Sequence, residues 1–185
     1  QAMSAIVNAS KLLHEGKVFR LLRENITLPN NVTTDLEVIR HPGASAVVPL
    51  YQEKSLILVK QYRHAVGDFI WEIPAGTFNS NETPVECAKR ELAEETGFYA
   101  DVWHKLGELI PVPGYSDECI YLFLAIELSS ARQNLDKDEL LEVHEISLDD
   151  AIRMIYEGII KDCKTISGIL MAACWLKQKG RYVIP

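Results

Sequence analysis

Glu91, Glu94 and Glu95 sit close together in a stretch over residues 76–98, GTFNSNETPVECAKRELAEETGF, that reads as a loop followed by a helix. At about 100° per residue the three carboxylates share an arc of about 100° on that helix. Like charges so close repel one another, so a bare protein gains nothing by gathering them. A hard divalent cation reverses that sign, and oxygen ligands of this kind suit magnesium or manganese. The helix that must carry them is well marked. Thr83 is an N-cap, Pro84 fills the first helical position and Glu86 completes a T-x-x-E capping box. Val85, Ala88 and Leu92 make an adjoining apolar stripe, and Gly97 is a C-terminal stop.

An acidic helix face is ordinarily a solvated surface, but here the carboxylates belong to a fixed order, G-x5-E-x7-R-E-L-x-E-E-x-G-F. Ordinary residue frequencies give a chance match on the order of 10⁻⁷. The pattern resembles the Nudix hydrolase box, with Gly76, Glu82, Arg90, Glu91, Leu92, Glu94, Glu95, Gly97 and Phe98 at its specified positions. The resemblance implies magnesium-dependent pyrophosphohydrolases, with manganese a possible substitute, that cut a nucleoside diphosphate linked to another group. It also implies an α/β/α sandwich with a mixed sheet.

The rest of the chain must place that helix. Its 185 residues suit one domain, or one with a small extension, and 48% apolar content supports a sizeable core. A net charge of -7 argues against nucleic acid or a membrane surface as the main partner, but not against a phosphate substrate held through cations. Cys87, Cys119, Cys163 and Cys174 lack paired spacing and read as reduced, mostly buried thiols of a cytoplasmic protein. No signal peptide, membrane span or repeat is visible, and Gln1-Ala2-Met3 reads as a cloning remnant. The five histidines show no zinc-like spacing.

Two alternating runs, 18–28 and 33–40, flank the turn Pro29-Asn30-Asn31, so residues 1–42 read as a small antiparallel β extension. A lone hairpin is marginal in water and needs a partner surface. Residues 43–185 read as the main domain. Its apolar runs 44–51 and 55–61 are expected to be strands buried on both sides, followed by strands at 69–73, 100–110 and 119–128. Helices are expected from Ser147 to about Tyr156 and over 165–179. Such an order predicts a mixed sheet clasped between helices.

Further residues enter through the resemblance. Tyr62-Arg63 and the segment 71–76, WEIPAG, match the approach to the box in the ADP-ribose pyrophosphatase branch. That match implies the Ala75 carbonyl as a metal ligand beside Glu91, Glu95 and Glu94. It implies Arg63 as a phosphate clamp and Glu72 as a substrate contact, while Glu82 and Arg90 brace the loop, for example by pairing together. Pro113, sixteen residues after Gly97, resembles the mark of ADP-ribose pyrophosphatases, and nearby Glu118 suits ribose hydroxyls. The acidic run 135–143, LDKDELLEV, falls where the family places a mobile loop. Glu139 is the expected general base there, and a further ligand, with Glu142 the second choice. In that branch the N-terminal strands build a homodimer and reach the partner's active site, which would bring Phe19 or Arg40 to the base. Sheet packing and surface charge are the alternatives for those two. The expected reaction is ADP-ribose to AMP and ribose 5-phosphate. Another sugar nucleotide, NADH, or a non-catalytic ADP-ribose-binding regulator are the alternatives.

Overall fold

Apolar runs with no polar alternation need cover on both faces, and two such runs form the middle of the larger sheet. The structure is a computed structural model that describes residues 4–52, 54–130, 132–135 and 140–183. It divides into two compact units, Gln1–Gly43 with Ile110–Cys119, and Ala44–Leu109 with Ile120–Pro185.

The first unit holds a three-stranded antiparallel sheet of β1 (Ile6–Glu15), β2 (Arg20–Thr27) and β3 (Thr33–Arg40). The alternating runs correspond to β2 and β3. β1 was not expected, and all ten of its residues are exposed. The segment Ile110–Cys119 runs along β3, where the Ile39 N–H donates to the Tyr115 carbonyl at 2.7 Å and the Asp117 N–H to the Ile39 carbonyl at 3.2 Å.

The second unit is a seven-stranded mixed sheet. Its strands are β4 (Ala44–Tyr51), β5 (Ser55–Arg63), β6 (Asp68–Glu72), β7 (Ala75–Thr77), β8 (Phe98–Leu109), β9 (Ile120–Ser130) and β10 (Leu141–Ser147). β4 runs parallel to β9, while the other strand pairs are antiparallel. Side-chain alternation sorts the core into two layers. Val48, Leu50, Leu56, Leu58, Leu122 and Leu124 pack on α2 (Leu148–Tyr156) and α3 (Cys163–Gln178). Val47, Phe123 and Ala125 point the other way, onto Ala88 and Leu92 of the box segment. The expected sandwich is therefore what forms. β10 was not expected, since its sequence continues the acidic run.

Helix α1 (Pro84–Glu91) begins as its sequence demands, with the Glu86 N–H on the Thr83 hydroxyl and the Thr83 N–H on the Glu86 carboxylate. It does not continue as one α-helix. Leu92–Thr96 is a π-helical turn, closed by Gly97 at φ 71° in the left-handed region that glycine enters without strain. One further expectation is corrected. Cys87 is buried, but Cys163 and Cys174 are exposed, because they lie on the outer side of a helix whose inner side is Ile169, Ala172, Ala173 and Leu176.

Candidate active site

The box carboxylates meet the sheet at β7. Gly76 has no side chain, and the Glu91 carboxylate occupies the space beside it; an added Cβ would stand 1.8 Å from Glu91 Oε1. One residue earlier, the Ala75 N–H donates to Glu95 Oε2 at 3.1 Å. Glu91 is 7% exposed and Glu95 only 2%. Two charges are thus drawn out of water beside the residue whose carbonyl was the expected ligand. Burying carboxylates is costly unless they are paired.

Arg90 is the local partner. Its Nη1 donates to Glu91 Oε1 at 2.6 Å and to Glu94 Oε2 at 3.0 Å. Its Nε and Nη2 hold Glu82 at 2.8 and 2.9 Å, and Nη2 also reaches the Thr77 carbonyl at 3.1 Å. The expected Glu82–Arg90 pair is present, and Arg90 does more than that pair requires. It joins loop, helix and π turn. The Arg90 guanidinium, helped by the Asn79 N–H, holds the Glu82 carboxyl down to about 2, so Glu82 stays charged at any ordinary pH. Burial, with the charges of Glu91 and Glu82, pushes the Cys87 thiol up to about 12. Cys87 is therefore a packed thiol whose Sγ donates to the Gly76 carbonyl at 3.3 Å, not a nucleophile.

Glu82, Glu91 and Glu94 share this cluster with the Arg90 guanidinium, Glu95 is held by the Ala75 N–H of β7, and all four are hard oxygen donors. Among the described residues, no three acidic, histidine or cysteine side chains converge tightly enough to cage an ion as they stand. The donor chemistry, the anionic surplus and the Gly76 cradle nonetheless fit a hard divalent cation, with Arg90 serving as counter-cation in the arrangement seen.

A second cluster lies in the same unit. At the end of β5, Arg63 forks onto Glu72, Nε to Oε2 at 2.7 Å and Nη2 to Oε1 at 3.2 Å. Glu72 is 2% exposed and also accepts from Lys164 Nζ. Burial opposes the charge on Arg63. The bond to Glu72 and the attraction of Glu72, Glu95 and Asp162 outweigh it and raise the pKa. Glu95 therefore acts on both clusters.

The structure brings Arg63, Glu72, Ala75, Gly76, Glu82, Arg90, Glu91, Glu94, Glu95 and Gly97 into one unit. Pro113 and Glu118 belong to the other. Pro113 sits in a turn closed by the Ser116 N–H on the Val112 carbonyl at 3.0 Å, and the Glu118 N–H donates to Ser116 Oγ at 3.1 Å. Arg40, in that unit, is engaged by Glu24 at 2.9 Å and Asp117 at 3.2 Å, and it lines a cavity with Phe19. Glu139 lies outside the described residues. Glu142 is an exposed residue of β10 whose Oε2 lies 3.3 Å from His144 Nε2.

Sequence reasoning missed Lys164 and Asp162. Asp162 caps α3 by accepting from the Thr165 N–H at 3.0 Å, and also accepts from Lys164 Nζ at 3.0 Å. The Asp-x-x-Thr spacing before an apolar-periodic run was the available signal for the cap.

Known proteins resemble this chain in sequence and fold. The NUDIX domain model matches residues 40–163. An ADP-ribose pyrophosphatase of Bacillus subtilis (strain 168) is 39% identical over 163 residues, 87% of this chain and 88% of that protein. A methanol dehydrogenase activator of Bacillus methanolicus is 38% identical over 159 residues, 85% of this chain and 86% of its own length. A solved structure described as an ADP compounds hydrolase superposes with a TM-score of 0.85 at 21% identity, covering 98% of each chain, which is a likeness of fold. With the box gathered at one strand–helix junction and a family match spanning it, the chain belongs to the Nudix family.

Proposed function

We propose that this protein hydrolyses the pyrophosphate bond of ADP-ribose to AMP and ribose 5-phosphate, with magnesium as the physiological ion and manganese as a substitute. The observation that carries the reading is the pair of buried carboxylates, Glu91 and Glu95, held against β7, with Glu95 also attracting Arg63. A divalent ion held by Glu91, Glu94, Glu95 and the Ala75 carbonyl would offset the diphosphate's charge. Arg63 supplies a planar fork for two phosphate oxygens. Arg90 keeps Glu91 and Glu94 in register with the loop that carries Glu82. Water adds to one phosphorus, the bridging P–O bond breaks, and the water's proton passes to Glu139. The leaving phosphate is then a monoester.

The ADP-ribose pyrophosphatase name of the 39% identical relative supports this choice of substrate. A panel of ADP-ribose, GDP-mannose, other sugar nucleotides and NADH, with release of nucleoside monophosphate as the readout, tests it. ADP-ribose is expected to give the highest kcat/KM. Dominant cleavage of GDP-mannose would move the function to another nucleoside diphosphate. No cleavage of any member would point to a ligand-binding regulator.

The assembly we infer is a homodimer formed through the N-terminal sheet. Ile6, Val7, Leu12 and Leu13 of β1 are 37–65% exposed, more apolar surface than a solvated strand needs. Sedimentation is expected to report twice the chain mass, and a Leu12→Glu variant to report one chain; a monomeric parent would remove the inference. The setting we infer is the cytoplasm, which suits the free thiols of Cys87, Cys163 and Cys174. Among the described residues no helix is long and apolar enough to cross a membrane.

A further inference from the structure

We propose that Lys164 is a positioning residue that lets Arg63 leave Glu72 for the diphosphate. The inference rests on the function proposed above and assigns a role to a residue outside the box. In the structure both Arg63 and Lys164 bind the Glu72 carboxylate. The two cations are not equivalent. The Arg63 side chain is 39% exposed and that of Lys164 only 12%. Lys164 is also tied down from behind, its Nζ 3.0 Å from Asp162 Oδ2, while Asp162 is fixed as the cap of α3 by the Thr165 N–H and the Thr165 hydroxyl at 2.6 Å. The buried cation is held and the exposed one can swing.

That asymmetry has a consequence for binding. Arg63 bonds both oxygens of Glu72, so a guanidinium that turns to phosphate leaves a carboxylate with 2% exposure behind it. Were Arg63 the only partner, its departure would strand a buried charge, a cost that would hold it in place. Lys164 keeps that charge compensated after Arg63 has gone. Glu95 also attracts Arg63, so the guanidinium already feels one box carboxylate, and a diphosphate held there offers it a stronger bidentate acceptor.

The test compares Lys164→Met and Lys164→Arg with the parent, on ADP-ribose with magnesium. In Lys164→Met, KM is expected to rise about tenfold with kcat within about twofold, because a binding contact is lost and the chemical step is not. Lys164→Arg should restore KM. In an Arg63→Met background, Lys164→Met should add almost nothing, since both act through one contact. A second measurement needs no turnover: the Arg63 Nε–H resonance, followed by NMR while inorganic pyrophosphate is added. It should move in the parent and stay in Lys164→Met. An unmoved parent resonance, a loss of kcat at constant KM, or full additivity with Arg63→Met would overturn the proposal. A parent that cleaves no diphosphate, yet whose Arg63 resonance moves only when Lys164 is present, would overturn the enzymatic reading and leave this inference standing.

Discussion

Glu95→Gln is expected to lower kcat by about three orders of magnitude, the scale of losing a principal charge stabiliser at a phosphoryl centre, with little change in fold. The substitution removes a charge and almost no volume. Glu95 is 2% exposed, and its Oε2 accepts from the Ala75 N–H, a role that the amide oxygen of glutamine retains. The backbone is held independently, since Gln133 Nε2 donates to the Glu95 carbonyl at 2.6 Å and the Gly97 N–H to the Ala93 carbonyl. Without a bound ion the variant should melt close to the parent, because relief of repulsion among the carboxylates offsets the attraction to Arg63 that is lost. The parent should gain stability as magnesium is added, by about 2.7 kcal/mol at a hundredfold excess over Kd, and the variant should gain far less. Thermal melts with and without magnesium, beside steady-state rates, check both halves. A near-parental rate would remove Glu95 from the chemistry, and a large fall in the ion-free melting temperature would make its role structural.

Why Glu95 was legible at all, and Lys164 was not, is a matter of distance along the chain. The box residues are neighbours in sequence, so capping rules and helical angles place them relative to one another before any tertiary contact is known. The same holds for β4 and β5, whose unbroken apolar runs announce burial on both faces. Lys164 meets Glu72 across 92 residues, a pairing set by how α3 docks on the sheet, and no local pattern encodes it. β10 was hidden for a different reason. Its Leu141, Val143 and Ile146 are interleaved with Glu142, His144 and Glu145, and the acidic residues just before it drew the whole segment into a loop reading. Its register against β5, Val143 opposite Val59 and Ile146 opposite Leu56, is what makes it a strand. The π turn has no sequence signature either. Within it the Thr96 hydroxyl donates to the Leu92 carbonyl at 2.5 Å, and the wider turn aims Glu94 and Glu95 differently from a straight helix.

Gly76→Ala is expected to damage activity far more than stability, and the reason is geometric. A Cβ built there falls 1.8 Å from Glu91 Oε1 and 2.1 Å from its Cδ, so the carboxylate and the methyl group cannot share the space. What yields is the end of a side chain, not backbone. Glu91 is the last residue of α1, and its carboxylate can rotate away at the expense of its 2.6 Å bond to Arg90. Losing one charge-assisted bond in a partly buried setting costs about 1–3 kcal/mol, which for a chain this size lowers the melting temperature by several degrees. A misplacement of about 1 Å at a group that orients the reacting atoms costs about a hundredfold in rate, so kcat should fall by at least that factor. The cause can be isolated by removing the obstacle. In a Glu91→Ala background the methyl group added at position 76 would enter vacated space, and Gly76→Ala should there cost neither stability nor additional rate. If the double variant instead loses as much as both single changes combined, the glycine serves the backbone of β7 and not the Glu91 carboxylate.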